Sequence, residues 1–583
     1  MELTQLIELL NLLETEGCLI NTKPVTGTGD LFTGETVVNG TQTRLHFLLP
    51  INFPRALPYI YLDKGSEFEG LPHVLPLNLP ANLPADLPIE WPTNFVCYHT
   101  SEGIILDENN PTEIIRWAIK KAVNLLEDGI SGANHGDYAD EFEVYWGYIS
   151  NKSVINLVSS ITKSQEVKVF KNSQKVYLAK SALVVSKYLH FDINKIPQKF
   201  PTIEDAILYV LPIGTQIIPP CSKDPFWSAN ELRQLVQPAL DLLTPKQYRQ
   251  YIKMNKAIAG TMLFALPRPS GGYSLFGVSY NSPEGYHPFL ESGNKANLYP
   301  LKVSREEASY VLPRGGGKVN MTTKKVLLIG CGSVGGHVAH ELVRAGLMNL
   351  TVVDSDKMSL DNTFRHVLGN AYAGRPKATA LQEELRRKFP YVNIVSVDST
   401  IEESINNGSI RFEAFDIVIS ALGSPTTEIW INQQLKGKVP GLFGWVEPLG
   451  IGGHALLALP TTPGCFKCLY SSTDQDDFLV NRAAFAEKNQ WFGKSLSGCG
   501  QLYTPYGSLD ALRSATLIVQ LALDYLTGKE LQSNLISWKG DDTDFLKQGY
   551  KLSNRFNVSE EKLNNNRYLF ATALCSVCGN SAN

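Results

Sequence analysis

From Leu3 to Glu14 apolar residues recur at helical spacing, so the chain is expected to open on an amphipathic helix. Short strand-like runs follow, Phe47-Leu48-Leu49 and Tyr59-Ile60-Tyr61-Leu62, with Pro50, Pro54 and Pro58 at their ends, where proline removes no ladder hydrogen bond. A second helical pattern spans Thr112 to Glu127 and is closed by Asp128-Gly129. Helix, meander and helix together predict an α+β domain over residues 1–150. The stretch from Leu71 to Pro92 is rich in Pro, Leu and Asn without a period, and reads as a long ordered loop leading to Cys97.

Residues 151–317 mix strand-like and helical runs, among them Ile203 to Leu211 and Glu231 to Leu243, and carry no motif with chemistry in it. They are expected to form a middle or linker domain. Gly315-Gly316-Gly317 marks a flexible junction, after which apolar strands and helices alternate as in an α/β domain, residues 318–583. No internal repeat is present.

The chain's 583 residues exceed what one hydrophobic core usually serves, which agrees with several domains. With 43% hydrophobic and 19% charged residues, its composition is that of a globular protein. A net charge of -4 supplies no basic surplus, which argues against nucleic acid or an anionic membrane as partner. The N-terminus has no basic stretch of the export-signal kind, and apolar runs such as Ala515 to Leu526 fall short of the roughly 20 residues that span a bilayer. A cytoplasmic protein without membrane segments is expected. Nine cysteines are too few for a disulfide framework in a chain this long, and four form two Cys-x-x-Cys pairs, so metal binding and thiol chemistry are the open readings.

Lys325 to Ile329 is a buried-strand run, followed by Gly330-Cys331-Gly332-Ser333-Val334-Gly335-Gly336 and a helical segment from His337 to Ala345. This is the strand, glycine turn and helix of a Rossmann-type unit, in which helix N-terminal amides meet phosphate oxygens. A second strand ends at Asp354, placed to hydrogen-bond a ribose hydroxyl. On these features alone an NAD-dependent oxidoreductase fits equally well. The next residues separate the readings: Asp354-Ser355-Asp356, then Asn362, Arg365 and, after Gly374-Arg375-Pro376, Lys377. The set resembles the Asp-x-Asp, Asn-x-x-Arg and downstream Lys pattern of the ubiquitin-activating superfamily, which includes the ThiF/MoeB-like bacterial enzymes that adenylate sulfur carriers. The resemblance implies binding of ATP with Mg2+, through Gly330, Gly332, Gly335, Asp354, Asp356, Asn362, Arg365 and Lys377. Adenylation attacks the α-phosphate and expels pyrophosphate, and cations such as Arg365 and Lys377 neutralise the charge that develops. The sequence departs from the family in one respect. Where members often carry a magnesium-holding Asp after the fourth strand, this chain has Ser420-Ala421-Leu422-Gly423-Ser424, which leaves Asp354 or Asp356 as substitutes.

Cys465, Cys468, Cys575 and Cys578 form two knuckles beside Gly464 and Gly579 and suit a tetrahedral zinc site, Zn2+ held by four thiolates. Four reduced structural cysteines are the plain alternative. Cys499 lies in Ser497-Gly498-Cys499-Gly500, ahead of a helix from Leu509 to Leu526. In similar enzymes the corresponding loop carries the cysteine that takes the acyl group from AMP, which makes Cys499 the expected thioester nucleophile. Cys97 follows the proline-rich meander and precedes a helix, a layout similar to ubiquitin-conjugating enzymes. Those usually show His-Pro-Asn upstream, whereas this sequence offers Leu71-Pro72-His73-Val74, so the oxyanion stabiliser is unassigned.

The order of a conjugating-like domain, a middle domain and a Rossmann-like activating domain resembles the fused conjugating–activating proteins of bacterial CBASS anti-phage operons. The resemblance implies ATP-dependent adenylation of the C-terminus of a partner, a cGAS-like nucleotidyltransferase, then a thioester relay from Cys499 to Cys97 and ligation to an amine of a target, with Arg365 catalytic in the first step. It also implies a homodimer. A sulfur-carrier adenylyltransferase and a non-catalytic scaffold remain the competing classes beside the oxidoreductase.

Overall fold

A computed structural model of the chain describes residues 3–25, 30–76, 94–99, 103–150, 154–220, 226–254, 258–471, 479–495 and 502–579. The chain forms two compact units, Met1–Ser181 with Pro197–Arg305, and Ala182–Ile196 with Glu306–Asn583.

The first unit opens on helix α1 (Leu3–Thr15), which buries Leu6, Leu9, Leu10 and Leu13 on one face. An antiparallel sheet follows, built from β1 (Ile20–Pro24), β2 (Leu31–Val38), β3 (Thr41–Leu48), β4 (Tyr59–Leu62), β5 (Val74–Pro76) and β6 (Asn94–Val96) in the order β1-β2-β3-β4-β6-β5. The β2–β3 hairpin keeps continuous register from Leu31↔Leu48 to Val38↔Thr41. Its turn is Asn39-Gly40, both at positive φ (46° and 82°), the geometry that matches strand twist in a two-residue hairpin. Helix α2 (Pro111–Ser131) starts on Pro111 and buries Ile115, Ala118, Ile119, Ala122 and Leu126 at helical spacing. It runs past the Asp128-Gly129 stop expected from sequence, because Gly132, at φ 81°, takes the left-handed cap. Gly129 is a buried helical residue whose missing side chain leaves room for Leu71.

Where the sequence shows no motif, the chain closes a seven-stranded barrel: Thr202–Val210, Ala259–Pro267, Tyr273–Asn281, Asn297–Arg305, Val154–Leu157, Val176–Ala179 and Gln165–Lys171 in spatial order. Along Thr202–Val210 the side chains alternate between two cores. Ala206 and Leu208 pack with Val167, Val169 and Leu178, whereas Ile207 and Tyr209 pack with Phe142, Trp146 and the helix Ala229–Asp241.

The second unit is a doubly wound α/β domain. Its sheet runs Asn393–Val397, Asn349–Val353, Lys325–Ile329, Ile417–Ser420, Gly441–Val446, Gly452–Ala458 and Asn534–Lys539, parallel through the first five strands and antiparallel after them. Helices Ser333–Arg344 and Ser508–Leu526 contribute to the core on one face, and Pro425–Leu435 to the core on the other. Strand order reverses at Lys325–Ile329, which pairs with Asn349–Val353 on one side and Ile417–Ser420 on the other. Ligands of such sheets bind beyond the carboxyl ends of the strands at that reversal. Gly315 to Gly317, expected to be a loose junction, instead cap the helix Ala308–Arg314, with the Gly317 N–H donating to the Leu312 carbonyl at 2.8 Å. Among the described residues no helix is long and apolar enough to cross a membrane.

Candidate functional site

The glycine turn sits at the carboxyl end of the Lys325–Ile329 strand, at the switch point. Gly330 adopts φ 91°, and a side chain there would press to 2.7 Å from the Ala421 carbonyl oxygen. A side chain on Gly335 would come to 1.9 Å from the Gly330 carbonyl oxygen, so these two glycines let strand, turn and helix close on one another. Gly332 differs, because nothing lies within 4 Å of where its side chain would be. It is the N-cap of the helix Ser333–Arg344 and leaves the first helical amides open to a ligand.

A cleft of about 360 Å³ lies over this turn, lined by Gly332, Ser333, Asn362, Arg365, Lys377, Gly423, Trp445 and Tyr506. One short turn presents both Asn362 and Arg365, since the Arg365 N–H donates to the Asn362 carbonyl at 3.1 Å. Arg365 stacks on the Tyr506 ring with its guanidinium carbon 4.7 Å from the ring centre, and donates to the Thr504 carbonyl at 3.2 Å. Ser333 Oγ and Tyr506 Oη share a hydrogen bond of 2.6 Å. Lys377 begins the helix Lys377–Lys388 and pairs with Asp356 at 2.9 Å, its side chain only 11% exposed. Two cations, an amide and open helix amides thus converge on one polar cavity, a donor set that fits a polyphosphate.

The remaining residues expected at the nucleotide, Gly330, Gly335, Asp354 and Asp356, do not line the cleft themselves. Asp354 accepts the Cys331 N–H at 2.6 Å through one oxygen and the Asp356 N–H at 2.7 Å through the other, which fixes the turn. Burial raises its carboxyl above the usual range, against the pull of those amides and of Lys377. Gly423, at φ 66°, lines the cleft in the segment after the fourth strand, which here carries no acid. Behind it Glu428, 2% exposed, accepts from Ser420 Oγ at 2.9 Å and from the Leu422 and Gly423 amides. Burial pushes its carboxyl up to about 8, against those hydrogen bonds. Sequence reasoning passed over Glu428, Trp445 and Tyr506, for lack of any local pattern that distinguishes a wall residue from a core one.

The four paired cysteines come together in the core of the same unit, with all four sulfurs within 4.8 Å of one another. Cys465 to Cys575 is 3.7 Å, Cys468 to Cys578 3.2 Å and Cys465 to Cys468 4.0 Å. Tetrahedral zinc with Zn–S bonds of about 2.3 Å places its sulfurs about 3.8 Å apart, so the set fits that ion. Asn432 supports it, donating to Cys465 Sγ at 3.4 Å while accepting the Phe466 N–H at 3.0 Å.

Cys499 lies outside the described residues. Cys97, directly after β6, is half-buried beside Phe95, Leu75, Tyr145 and Tyr148. Its N–H donates to the His73 carbonyl at 2.8 Å, and its sulfur lies beside the His73 ring. His73 holds φ 63°, an unusual conformation for a branched ring side chain, pinned by its N–H to Tyr145 Oη at 2.5 Å. Nε2 meets Asp137 at 2.9 Å and Nδ1 meets Glu141 at 3.0 Å. Burial alone would lower the imidazole, but the neighbouring Cys97 sulfur and the hydrogen bonds to Glu141 and Asp137 push it up to about 10. Asp137, Glu141 and Tyr145 were not anticipated, because they lie well over 30 residues beyond Cys97 in a segment whose acidic run, Asp137-Tyr138-Ala139-Asp140-Glu141, reads as solvated surface.

Two family models match parts of the chain. The ThiF family matches residues 310–546, and prokaryotic E2 family B matches residues 29–155. An ATP-dependent ubiquitin transferase-like protein Cap2 of Pseudomonas aeruginosa is 26% identical over 245 residues, 41% of this chain and 43% of that protein. The sulfur carrier protein adenylyltransferase of Thermus thermophilus is 28% identical over 29% of this chain and 64% of its own length. The NEDD8-activating enzyme E1 catalytic subunit of Schizosaccharomyces pombe is 27% identical over 25% of this chain and 33% of its own. The chain thus spans less than half the length of the Cap2 and yeast relatives.

Proposed function

From a chain that joins a prokaryotic E2-type domain to a ThiF-type domain, we propose an ATP-dependent ligase that adenylates the C-terminal carboxylate of a protein partner and passes the acyl group through thioesters to an amine. The observation that carries this reading is the cleft in which Asn362, Arg365 and Lys377 face the open Gly332 turn, in the same chain as the half-buried Cys97. Hydride transfer has no use for two cations at that turn. In the first step the carboxylate attacks the α-phosphate of ATP, an acyl phosphate bond forms and pyrophosphate leaves. Arg365 and Lys377 stabilise the charge that builds on the phosphates, and the amides after Gly332 hold them in place. Magnesium bound with the nucleotide would neutralise phosphate charge, and the carboxylates put forward to hold it are Asp356, paired with Lys377 of the cleft at 2.9 Å, and Asp354 beside the glycine turn. The Cys499 thiolate then displaces AMP, and Cys97 takes the acyl group from Cys499 by thiol exchange.

The supporting chemistry extends to the partner. On the resemblance of the domain order to the fused conjugating–activating proteins of CBASS operons, we propose as activated substrate the C-terminus of a cGAS-like nucleotidyltransferase in anti-phage defence, with the ligase acting as a homodimer in the cytoplasm. The Thermus relative favours a second reading, adenylation of a sulfur carrier, which leaves the E2-type domain without a task. The deciding assay is ATP–pyrophosphate exchange with each carboxylate partner in turn. Exchange is expected with the nucleotidyltransferase C-terminus, and Arg365→Ala is expected to lower it by about 100-fold or more. Tight NAD binding without ATP binding overturns the reading.

A further inference from the structure

Among the described residues, imidazole, carboxylate and a sulfur or hydroxyl meet at two places outside the cleft. At one, His454 lies between Glu447 at 3.0 Å and Ser537 at 2.8 Å, but its ring is fully buried and Arg555 also donates to Ser537, so no substrate reaches it. The other is Cys97, His73, Asp137 and Glu141, where the sulfur is half-buried and the carboxylates are 42% and 35% exposed.

We propose that His73 is the catalytic charge partner of Cys97, an imidazolium fixed by Asp137 and Glu141 that stabilises the Cys97 thiolate both as attacking and as leaving group. This role rests on the relay reading of Cys97. Three features of the geometry carry it. The ring touches the sulfur on one side and a carboxylate through each nitrogen on the other, so its orientation is fixed by two hydrogen bonds and by the Tyr145 bond to its backbone. Two carboxylates on one imidazole keep it protonated, so it acts by charge rather than by accepting a proton. Among the described residues, the other ionisable groups around the sulfur are the phenols of Tyr98, Tyr145 and Tyr148, which burial keeps neutral.

In the charging step the Cys97 thiolate attacks the donor thioester carbonyl, a carbon–sulfur bond forms, and the donor sulfur leaves as thiolate. In the discharging step a neutral amine attacks, a carbon–nitrogen bond forms, and Cys97 leaves as thiolate beside the imidazolium. The proton of the new amide nitrogen goes to water. His73 keeps its proton throughout, and Asp137 and Glu141 are positioning residues.

Alkylation of Cys97 by iodoacetamide in the full chain, read by mass spectrometry of the Cys97 peptide from pH 6 to 9, tests this without ATP or an acyl donor. Its failure is therefore separable from failure of the relay. His73→Gln is expected to slow alkylation at pH 7 by about tenfold and to move the profile to higher pH. Asp137→Asn combined with Glu141→Gln returns the imidazole towards its ordinary range near 6.5, so this variant is expected to match wild type at pH 6 and lose its rate above pH 7. In the unsubstituted chain, histidine resonances followed by NMR are expected to include one that stays protonated to about pH 9 and titrates lower once Cys97 is alkylated. Folded His73→Gln protein with the wild-type rate and profile overturns the proposal, as does a set of histidine titrations that alkylation leaves unmoved.

Discussion

Glu428 is held in its acidic form by its surroundings. Its carboxyl moves from an ordinary 4.5 to about 8 through burial. Between those values the folded chain binds more protons than the unfolded one, so this residue's contribution to stability falls as pH rises through that window. Glu428→Gln has no charge to desolvate and still offers an acceptor to Ser420. The variant is expected to gain on the wild type between pH 5 and pH 8, by on the order of 2 kcal/mol, in denaturant melts at the two values. A pH-independent difference contradicts the assignment. At this scale the sequence was informative where chemistry fixes residue order. Gly332, Asn362, Arg365 and Lys377 are a short ordered set, and the structure brings all four to one cleft. It was uninformative where partners come from afar, as with Asp137 and Glu141 on His73, or Glu428 behind Gly423.

Elements were legible in proportion to how one-sided their burial is. The helix α1 shows its period because one face is wet, and the α2 end lies four residues beyond the expected Glu127 because two glycines compete and only Gly132 reaches the left-handed conformation. The barrel strands hid for the opposite reason. Ala206 to Tyr209 are buried on both faces, which erases the alternation that marks a strand. The cysteine knuckles are a third case, since Cys-x-x-Cys predicts a ligand pair but not its distant mate. The structure joins residues more than 100 apart in sequence, with 110 between Cys465 and Cys575. Four thiolates leave no open position, so the ion is expected to be structural, one zinc per chain by elemental analysis. Cys575→Ser is expected to speed hydrogen exchange in the C-terminal segment near Cys575 while leaving ATP affinity within about twofold, because no cysteine ligand lines the cleft. Zinc-free protein with unchanged stability contradicts this.

At the scale of the whole molecule, the fold class follows from alternation in the C-terminal half and from the helix–meander–helix order in the N-terminal part, and both family matches fall on those parts. What joins them is a chemical argument. Among the described residues the cleft suited to a nucleotide lies in the ThiF-type domain, so in the proposed relay a thiol belonging to that domain is charged first, and covalent fusion raises the effective concentration of the second thiol. A thiol-to-thiol step costs little free energy, and it leaves the acyl group activated for an amine. The most direct measurement incubates the Cys97→Ala chain with ATP, magnesium and the nucleotidyltransferase, and follows non-reducing gels and mass spectra of Cys499 against the wild type. The relay predicts a reducible adduct on Cys499 with no amide-linked product, whereas Cys499→Ala forms adenylate and charges neither cysteine. Amide-linked product from Cys97→Ala at the wild-type rate contradicts it.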